Sequence, residues 1–390
     1  MKVDFIDKGV SRYIVGEVER FDQKNMMYFR PLWDPSMLDL GRKYYGRKVM
    51  PTDKPGYRLQ DVALVNAAYH LDDNFGHKKT GRNLDGISLY DRDWDGKFSY
   101  PNVPSGLKIT VNNPAEVTKE VKKAARFFGA SQVGVCELDR RWLYSYAYNP
   151  LADGDKRSEK IEMPEDYKYA VMISIEMDYI GMNCSPARTH SGASGLGYSK
   201  MAFTAGLLAQ YIRGLGYKAI PIGNHITCSI PLAIDAGLGE LGRNGLLITP
   251  EFGPRVRLCE VFTDLPLVCD SSIEFGVWDF CMKCERCAEE CPSLAIMCGA
   301  PTEKPSNISN REGLLRWPIN AEKCFAFWAA NGSACSNCVR VCPFNKPSGW
   351  LHDAVRWGVK NTCWLDSTFV KVDKLFSYGK QHNANEFWNS

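Results

Sequence analysis

The sequence predicts an α/β layer architecture joined to a cysteine-rich module, on three observations. Between residues 107 and 275, short apolar runs alternate with stretches of helical periodicity. From about 276 to 346 the cysteines gather into two spaced runs. The 390-residue length, with 45% hydrophobic and 24% charged residues, allows two or three domains of ordinary globular composition. That composition excludes a disordered, collagen-like or multi-span membrane protein. Forty-eight basic residues against 45 acidic ones leave a net charge of +3, which gives no electrostatic case for nucleic acid as the main partner.

The elements follow in order. Residues 1–106 are irregular and rich in aromatics, Pro, Gly and Asp (RPLWDP, YDRDWDGKFSYP), and read as an ordered cover with short helices. LKITV (107–111) reads as a strand; Asn113-Pro114 then opens a helix carrying Val117, Val121, Ala124 and Ala125, and Gly129 stops it before the strand SQVGVCEL. This is a βαβ-like start. An insertion spans about 137–167, and its polar stretch at 150–167 (PLADGDKRSEKIEMPEDY) reads as exposed. YAVMISIE (169–176) is an apolar strand, HSGASGLG (190–197) a small-residue loop, and a helix is expected from about Ser199 with Met201, Ala205, Leu208 and Ile212 on one face. YKAIPI (217–222) is a further strand and SIPLAIDAG a further helix. The domains are thus a cover (1–106), a core (107–275), a cysteine module (276–346) and a tail (347–390) that packs back on the core.

Fifteen cysteines is an odd count that a fully paired disulfide framework does not explain. Cys281, Cys284, Cys287 and Cys291 stand at C-x2-C-x2-C-x3-C-P spacing, and Cys335, Cys338 and Cys342 repeat C-x2-C-x3-C-P, with Cys324 upstream. The first run is the bacterial ferredoxin signature for [4Fe-4S] clusters, in which the fourth cysteine serves the other cluster. The expected sets are Cys281, Cys284, Cys287 and Cys342 for one cluster and Cys324, Cys335, Cys338 and Cys291 for the second. Structural zinc is the bland alternative, but zinc sites rarely interleave two such runs. The other seven cysteines (136, 184, 228, 259, 269, 298 and 363) show no ligand spacing and read as small apolar residues.

Two clusters alone would make a small electron carrier, yet some 275 residues precede them, so the upstream part should hold a redox cofactor or substrate site. A G-x-G-x-x-G match at Gly237, Gly239 and Gly242, with Glu260 some twenty residues on, imitates a dinucleotide fingerprint. It follows a helix and not a strand, and Pro250 and Gly253 leave no room for the helix that should come next. These glycines read instead as points where backbone comes close to another cofactor.

The string YSKMAFTAGLLAQYIRGLGYKAIPIGN (198–224), then AGLGELGRNGLLITPEFGPRVRL (236–258) and the two cysteine runs, resembles the cobalamin-dependent respiratory reductive dehalogenases over about 107–360. The resemblance implies a nitroreductase-like α/β core that holds a base-off corrinoid, joined to a ferredoxin-like module with two [4Fe-4S] clusters. It implies Tyr198 as proton donor, Arg257 as the cation beside it, Asn224 as a third polar group over cobalt, Trp328 as a wall of the substrate pocket, and Gly237, Gly239, Arg243 and Phe252 as corrinoid contacts. The N-terminal aromatics should supply the rest of that wall. None of the six histidines (70, 77, 190, 225, 352 and 382) has Asp two residues before it, in keeping with the absence of a D-x-H-x-x-G cobalt-ligand motif. A phenol is a poor acid at neutral pH, and a fixed guanidinium within a few Å stabilises phenolate, so Tyr198 beside Arg257 would donate more readily to a carbon gaining electron density.

The expected reaction is dehalogenation of a small chlorinated aliphatic, chloroalkanes favoured over chloroethenes, with Co(I) fed by the clusters from an external electron donor. A small integral membrane anchor subunit, a possible homodimer and a place on the outer face of the cytoplasmic membrane are expected from the resemblance, a cytoplasmic location being the alternative. MKVDFIDKGVSRYIVGEVERF has no apolar signal core and no twin arginine, so any exported precursor would have lost its leader. Epoxyqueuosine reductases, which act on tRNA and commonly use an acidic donor where Tyr198 stands, are one rival; a non-catalytic iron-sulfur electron-transfer subunit is the other.

Overall fold

The computed structural model describes residues 4–6, 9–76, 89–90, 106–347, 349, 358–359 and 362–389. The cover contributes strand β1 (Asp4–Ile6) and helices α1 (Leu38–Tyr45) and α2 (Leu59–Leu71). The core follows with α3 (Pro114–Phe127), β2 (Gln132–Glu137), the short pair β3 (Tyr146–Tyr148) and β4 (Ser158–Lys160), β5 (Tyr169–Glu176), α4 (Tyr179–Asn183) and α5 (Arg188–Gly214). Then come β6 (Ala219–Ile222), α6 (Ser229–Asp235), the hairpin β7 (Glu240–Leu241) and β8 (Leu247–Ile248), β9 (Val256–Thr263) and β10 (Ser272–Glu274).

The central sheet has the order β2-β5-β9-β6, and each neighbouring pair is antiparallel. Its middle strands are apolar along their length because both faces are covered. On one face Met201, Ala205, Leu208 and Ile212 of α5 pack with Val117, Val121 and Ala125 of α3 on Val171, Ile173 and Val261. On the other, Leu232 and Ala233 of α6 pack with Trp142 on Met172, Ile222 and Phe262.

Two expectations about this core need correction. Residues 107–111 form no strand; they run beside the end of α5, where the Ile109 N–H donates to the Leu215 carbonyl (3.0 Å) and the Tyr217 hydroxyl to the Ile109 carbonyl (3.2 Å). The start is therefore not βαβ, and the connections serve an antiparallel sheet. The expected loop 190–197 is helical, and α5 spans 27 residues from Arg188. Its glycines lie against neighbouring elements, so packing supplies what their low helix propensity lacks. The insertion is exposed mainly over 149–160, whereas Trp142, Leu143 and Tyr144 are buried in the core.

The cysteine module carries α7 (Val277–Cys284), α8 (Arg286–Glu289), α9 (Ala321–Asn331) and α10 (Asn337–Arg340). The cover straddles it and the core. β1 pairs with β10, and buried Arg30 bridges Asp34 and Glu322 of α9, each at 2.7 Å. The tail also returns. In α11 (Asp366–Leu375), Asp366 meets Lys283 at 3.1 Å and Asp373 pairs with Arg286 and Lys346. In α12 (Ala384–Asn389), the Trp388 indole N–H donates to Asp61 on α2 at 3.0 Å. Among the described side chains no cysteine is in a disulfide, and among the described residues no helix is long and apolar enough to cross a membrane.

Glu260 on β9 is fully buried, with only the Ser229 hydroxyl (3.3 Å) donating to one oxygen. Burial raises its pKa well above the usual carboxylate range. The folded chain thus keeps a proton that the unfolded chain loses near pH 4.5, so this group's contribution to stability falls as pH rises from there toward the folded value. Glu260→Gln is expected to raise the thermal midpoint at about pH 8 and to raise it less near pH 5, as calorimetry at the two pH values would show.

Candidate functional site

Three glycines on α5 set the geometry of the site. A Cβ on Gly192 would come within 2.9 Å of Leu64, one on Gly195 within 2.4 Å of the Tyr69 ring, and one on Gly197 within 2.9 Å of Arg257 Cγ. Only glycine at these positions lets α2 and the β9 side chain approach so closely. The Tyr69 ring therefore stacks on Tyr198 with centroids 5.9 Å apart and planes at 27°. From β9, the Arg257 guanidinium carbon sits 4.4 Å from the centroid of the same ring. The expected cation is thus present, but over the ring face, where it acts through the π-system. Arg257 Nη2 donates to Ser194 Oγ at 3.2 Å, and its Nε is buried without a partner.

Aromatic side chains extend from this pair. The Tyr28 ring meets Trp328 edge-on at 6.4 Å, and Tyr44 lies 6.3 Å from Trp328 and 4.7 Å from Phe325. Tyr28 also lies within electrostatic range of Tyr69 and Tyr198, although the residue is 53% exposed. Tyr28, Tyr44 and Tyr69 are the cover's aromatics that meet Trp328 and Tyr198; in the sequence only the aromatic richness of the cover signalled them. Asn224 is exposed in the turn after β6, and the neighbouring Gly223 leaves space that the Tyr90 hydroxyl fills, 2.8 Å from where a Cβ would be.

His190 is a further site residue that the sequence did not single out. It is fully buried on the first turn of α5, with Nδ1 2.6 Å from the Ala187 carbonyl. Burial lowers its pKa to about 4, against the pull of that hydrogen bond and with the nearby Arg257 charge adding to the drop. The ring is therefore neutral, and its Nε2 has no partner. His190 Nε2, Arg257 Nε and the Trp328 indole N–H are buried polar atoms with no hydrogen-bond partner among the described residues.

The expected corrinoid contacts lie differently. The space beside Gly237 is filled by the Ser271 carbonyl (2.5 Å from a Cβ) and that beside Gly239 by the Ile248 carbonyl (2.2 Å), so the chain's own backbone accounts for both glycines. Arg243 is also committed elsewhere. Fully buried, it donates to the carbonyls of Cys281 (2.8 and 3.0 Å), Met297 (2.9 Å) and Gly299 (2.9 Å) and stacks on Trp317. It braces the cysteine module. Phe252 is half-buried in the turn before β9, its N–H donating to Thr249 Oγ1 at 3.1 Å.

The cysteines gather into two groups. Cys281, Cys284, Cys287 and Cys342 line one cavity together with Arg243, Phe280 and Phe344, so a thiol of the second run joins three of the first. Cys291 lies within electrostatic range of Cys324, Cys335 and Cys338. Cys338 also lies within range of Cys287 and Cys342, which places the groups side by side. Burial pushes the thiol pKa of Cys284 and Cys324 up to about 12 and that of Cys342 to about 11. Such thiols stay protonated unless a bound cation stabilises the thiolate. Cys291 differs: burial opposes ionisation, but hydrogen bonds from Ser293, Ala295 and Ile296 outweigh it and lower the pKa. Among the described residues, no three His, Cys, Asp or Glu side chains converge closely enough to hold one metal ion.

The chain is 38% identical over 355 residues to the tetrachloroethene reductive dehalogenase of Sulfurospirillum multivorans, covering 84% of this chain and 70% of that protein. It is 36% identical over 332 residues to one from Desulfitobacterium hafniense, covering 75% of this chain and 60% of the relative. An epoxyqueuosine reductase of Salmonella typhimurium is more distant, 25% identical over 66% of this chain. No established family profile matches. The fold matches that of the catabolic reductive dehalogenase NpRdhA bound to 3-bromo-4-hydroxybenzoic acid, with a TM-score of 0.72 at 22% identity, over 98% of this chain and 50% of that one. The architecture is a mixed α/β one of reductive dehalogenase type. The chain belongs to the reductive dehalogenase family, whose members are oxidoreductases. It spans 50–70% of the length of these dehalogenases.

Gly195→Ala is expected to push α2 from α5 and to destabilise the fold by about 1–3 kcal/mol, the usual cost of overpacking. Urea titration with tryptophan fluorescence measures it, and the exposed Gly16, whose Cβ would meet only the Gly313 Cα at 3.5 Å, supplies the contrast that a Gly→Ala change there costs less.

Proposed function

We propose that this chain is a reductive dehalogenase of small chlorinated aliphatics, with a base-off cobalamin in a nitroreductase-like core and two [4Fe-4S] clusters in a ferredoxin-like module. The observation that carries the reading is the Tyr198–Arg257–Tyr69 arrangement, a phenol held between a cation and a second ring. Trp328, which meets Tyr28 at 6.4 Å, stands one helical turn from Cys324 on α9. A solved relative is described as carrying out B12-dependent dehalogenation, and this chain matches it with a TM-score of 0.72 at 22% identity.

The residues present fit these groups. Four thiols around a cavity, drawn from both cysteine runs, suit a cubane cluster. The Arg243 N–H 3.5 Å from Cys281 Sγ and the Asn337 N–H 3.5 Å from Cys335 Sγ would stabilise thiolate ligands. The unsatisfied atoms of His190, Arg257 and Trp328 offer hydrogen bonds to a polar guest. Cobalamin, when bound, would supply a low-valent cobalt that delivers electrons to the carbon–halogen bond.

This chain's residues do the remainder. Arg257 stabilises negative charge as it grows on Tyr198, so the phenol proton passes to the carbon as halide leaves. Tyr28, Tyr44, Tyr69, Phe325 and Trp328 give an apolar wall suited to an uncharged organohalide. Cys281, Cys284, Cys287 and Cys342 would hold the outer cluster; Cys291, Cys324, Cys335 and Cys338 would hold the one nearer the wall. Asn224 would face the same space. The relatives' names favour a chloroethene over the chloroalkane expected from sequence. A small membrane anchor, an external electron donor, a homodimer and a peripheral place on the outer face of the cytoplasmic membrane belong to the same reading.

Anaerobically purified protein is expected to hold about eight irons per cobalt. Tyr198→Phe should lower chloride release from tetrachloroethene by about a hundredfold or more with both metal contents unchanged. Wild-type turnover in that variant would remove Tyr198 from the role, and protein with iron but no cobalt would favour an electron-transfer subunit. Cys335→Ala should cost about half the iron, whereas loss of all of it would contradict two separate ligand sets.

A further inference from the structure

The C-terminal end of α2 carries a feature that packing does not account for. Asp72 and Asp73 follow one another there, where the helix dipole disfavours negative charge. The chain then makes a π-helical turn, Asp72–Gly76, a distortion found often at functional sites.

That turn ends beside Tyr198. Tyr69 and Asp72 are three residues apart and so share a face of the helix, and Tyr69 is the ring stacked on Tyr198. The Asp72 backbone N–H donates to Ser199 Oγ at 3.3 Å, next to Tyr198 in sequence, and Ser199 in turn donates to the Ala68 carbonyl at 2.6 Å. Gly76 folds over the carboxyl. A Cβ there would lie 2.9 Å from Asp72 Oδ1 and 3.5 Å from the Tyr90 ring. Tyr90 is buried and within electrostatic range of both Asp72 and Tyr198.

We propose that Asp72 returns a proton to Tyr198 after each turnover, so that the phenol is recharged from a carboxyl at the end of α2. The proposal rests on the dehalogenase reading. In each cycle two electrons arrive from the external donor, the carbon–halogen bond breaks with its electron pair leaving on halide, and a C–H bond forms with the Tyr198 proton. Tyr198 remains as phenolate. The Asp72 O–H then gives its proton to the phenolate oxygen, across the space lined by Tyr69 and Tyr90, and the carboxylate takes a replacement from solvent, to which Asp72 is partly open. Net consumption is one proton and two electrons per halide released.

The groups facing Asp72 suit this exchange. Burial raises its pKa to about 6, Asp73 pushes the same way and Arg257 opposes them. Tyr69 and Tyr90 face it with hydroxyls whose pKa burial likewise raises, so they add no charge at neutral pH. The carboxyl is thus poised to hold a proton and to release it to a phenolate, which is the stronger base.

The test compares wild type, Asp72→Asn and Asp72→Ala, with tetrachloroethene and a reduced viologen as probes. Wild-type kcat is expected to fall as pH rises through about 6. In Asp72→Asn, kcat should drop about a hundredfold, KM should change little, and that alkaline limb should vanish while iron and cobalt content stay as in wild type. Asp72→Ala leaves room for a small acid, and acetic acid added at fixed pH should restore turnover in proportion to its concentration. Unchanged kcat or a retained alkaline limb in Asp72→Asn overturns the proposal. One readout needs no turnover. An infrared carboxyl band should disappear as pH rises through about 6 in wild type and be missing from Asp72→Asn, and failure to find it also overturns the proposal. Wild type that keeps the band but releases no chloride would fail the dehalogenase reading instead.

Discussion

The contact between α2 and α5 organises the molecule. Without side chains at Gly192, Gly195 and Gly197, a helix from the cover lies directly on the core, and the Arg257 stem from β9 comes in beside it. Each glycine gives up helix propensity, and the approach of Leu64, Tyr69 and Arg257 offsets that loss. The result is a phenol fixed between a second ring and a guanidinium before any substrate arrives. Pre-arranged charge of this kind is worth more than the same groups left free to wander, because no reorganisation is needed as charge develops.

The rest of the structure holds that contact in register with the cysteine module. Arg30 ties the cover to α9, which carries both Cys324 and the Trp328 wall. The tail fastens α2 through Trp388 and Asp61, and braces the first cysteine group through Asp373 with Arg286 and Lys346. Arg243 ties the β7–β8 hairpin to the carbonyls of the first cysteine run. These bridges run between segments far apart in sequence, so the aromatic site and the cysteine module form one packed body.

Much of this was legible in the sequence where spacing carries chemistry. Interleaving of the cysteine runs followed from two C-x3-C-P steps, and Cys342 does sit with Cys281, Cys284 and Cys287. Tyr198 and Arg257 are likewise brought together. What failed were inferences from local composition. HSGASGLG looks like a loop because helix propensity says nothing of a neighbour that needs the room. Gly237, Gly239 and Arg243 read as cofactor contacts in the sequence, and the structure adds the neighbours Ser271, Ile248 and the Cys281 loop, which a sequence does not show. Tyr28, Tyr69 and His190 were missed for a related reason: their significance lies in what they meet across the fold, in the first two cases from an irregular cover with little periodicity.

The central claim is that Tyr198 and Arg257 face a cobalt that carries no protein nitrogen, fed by two clusters. Anaerobic electron paramagnetic resonance tests it most directly, since the unpaired electron of Co(II) lies along the axial direction and splits with any nitrogen bound there. The expected spectrum is a Co(II) signal without axial nitrogen splitting, joined on reduction by signals from two interacting [4Fe-4S] clusters. A threefold nitrogen splitting that turns twofold when the protein alone is labelled with 15N would contradict it by placing a ligand such as His190 Nε2 on cobalt, and the absence of any cobalt signal would contradict it outright.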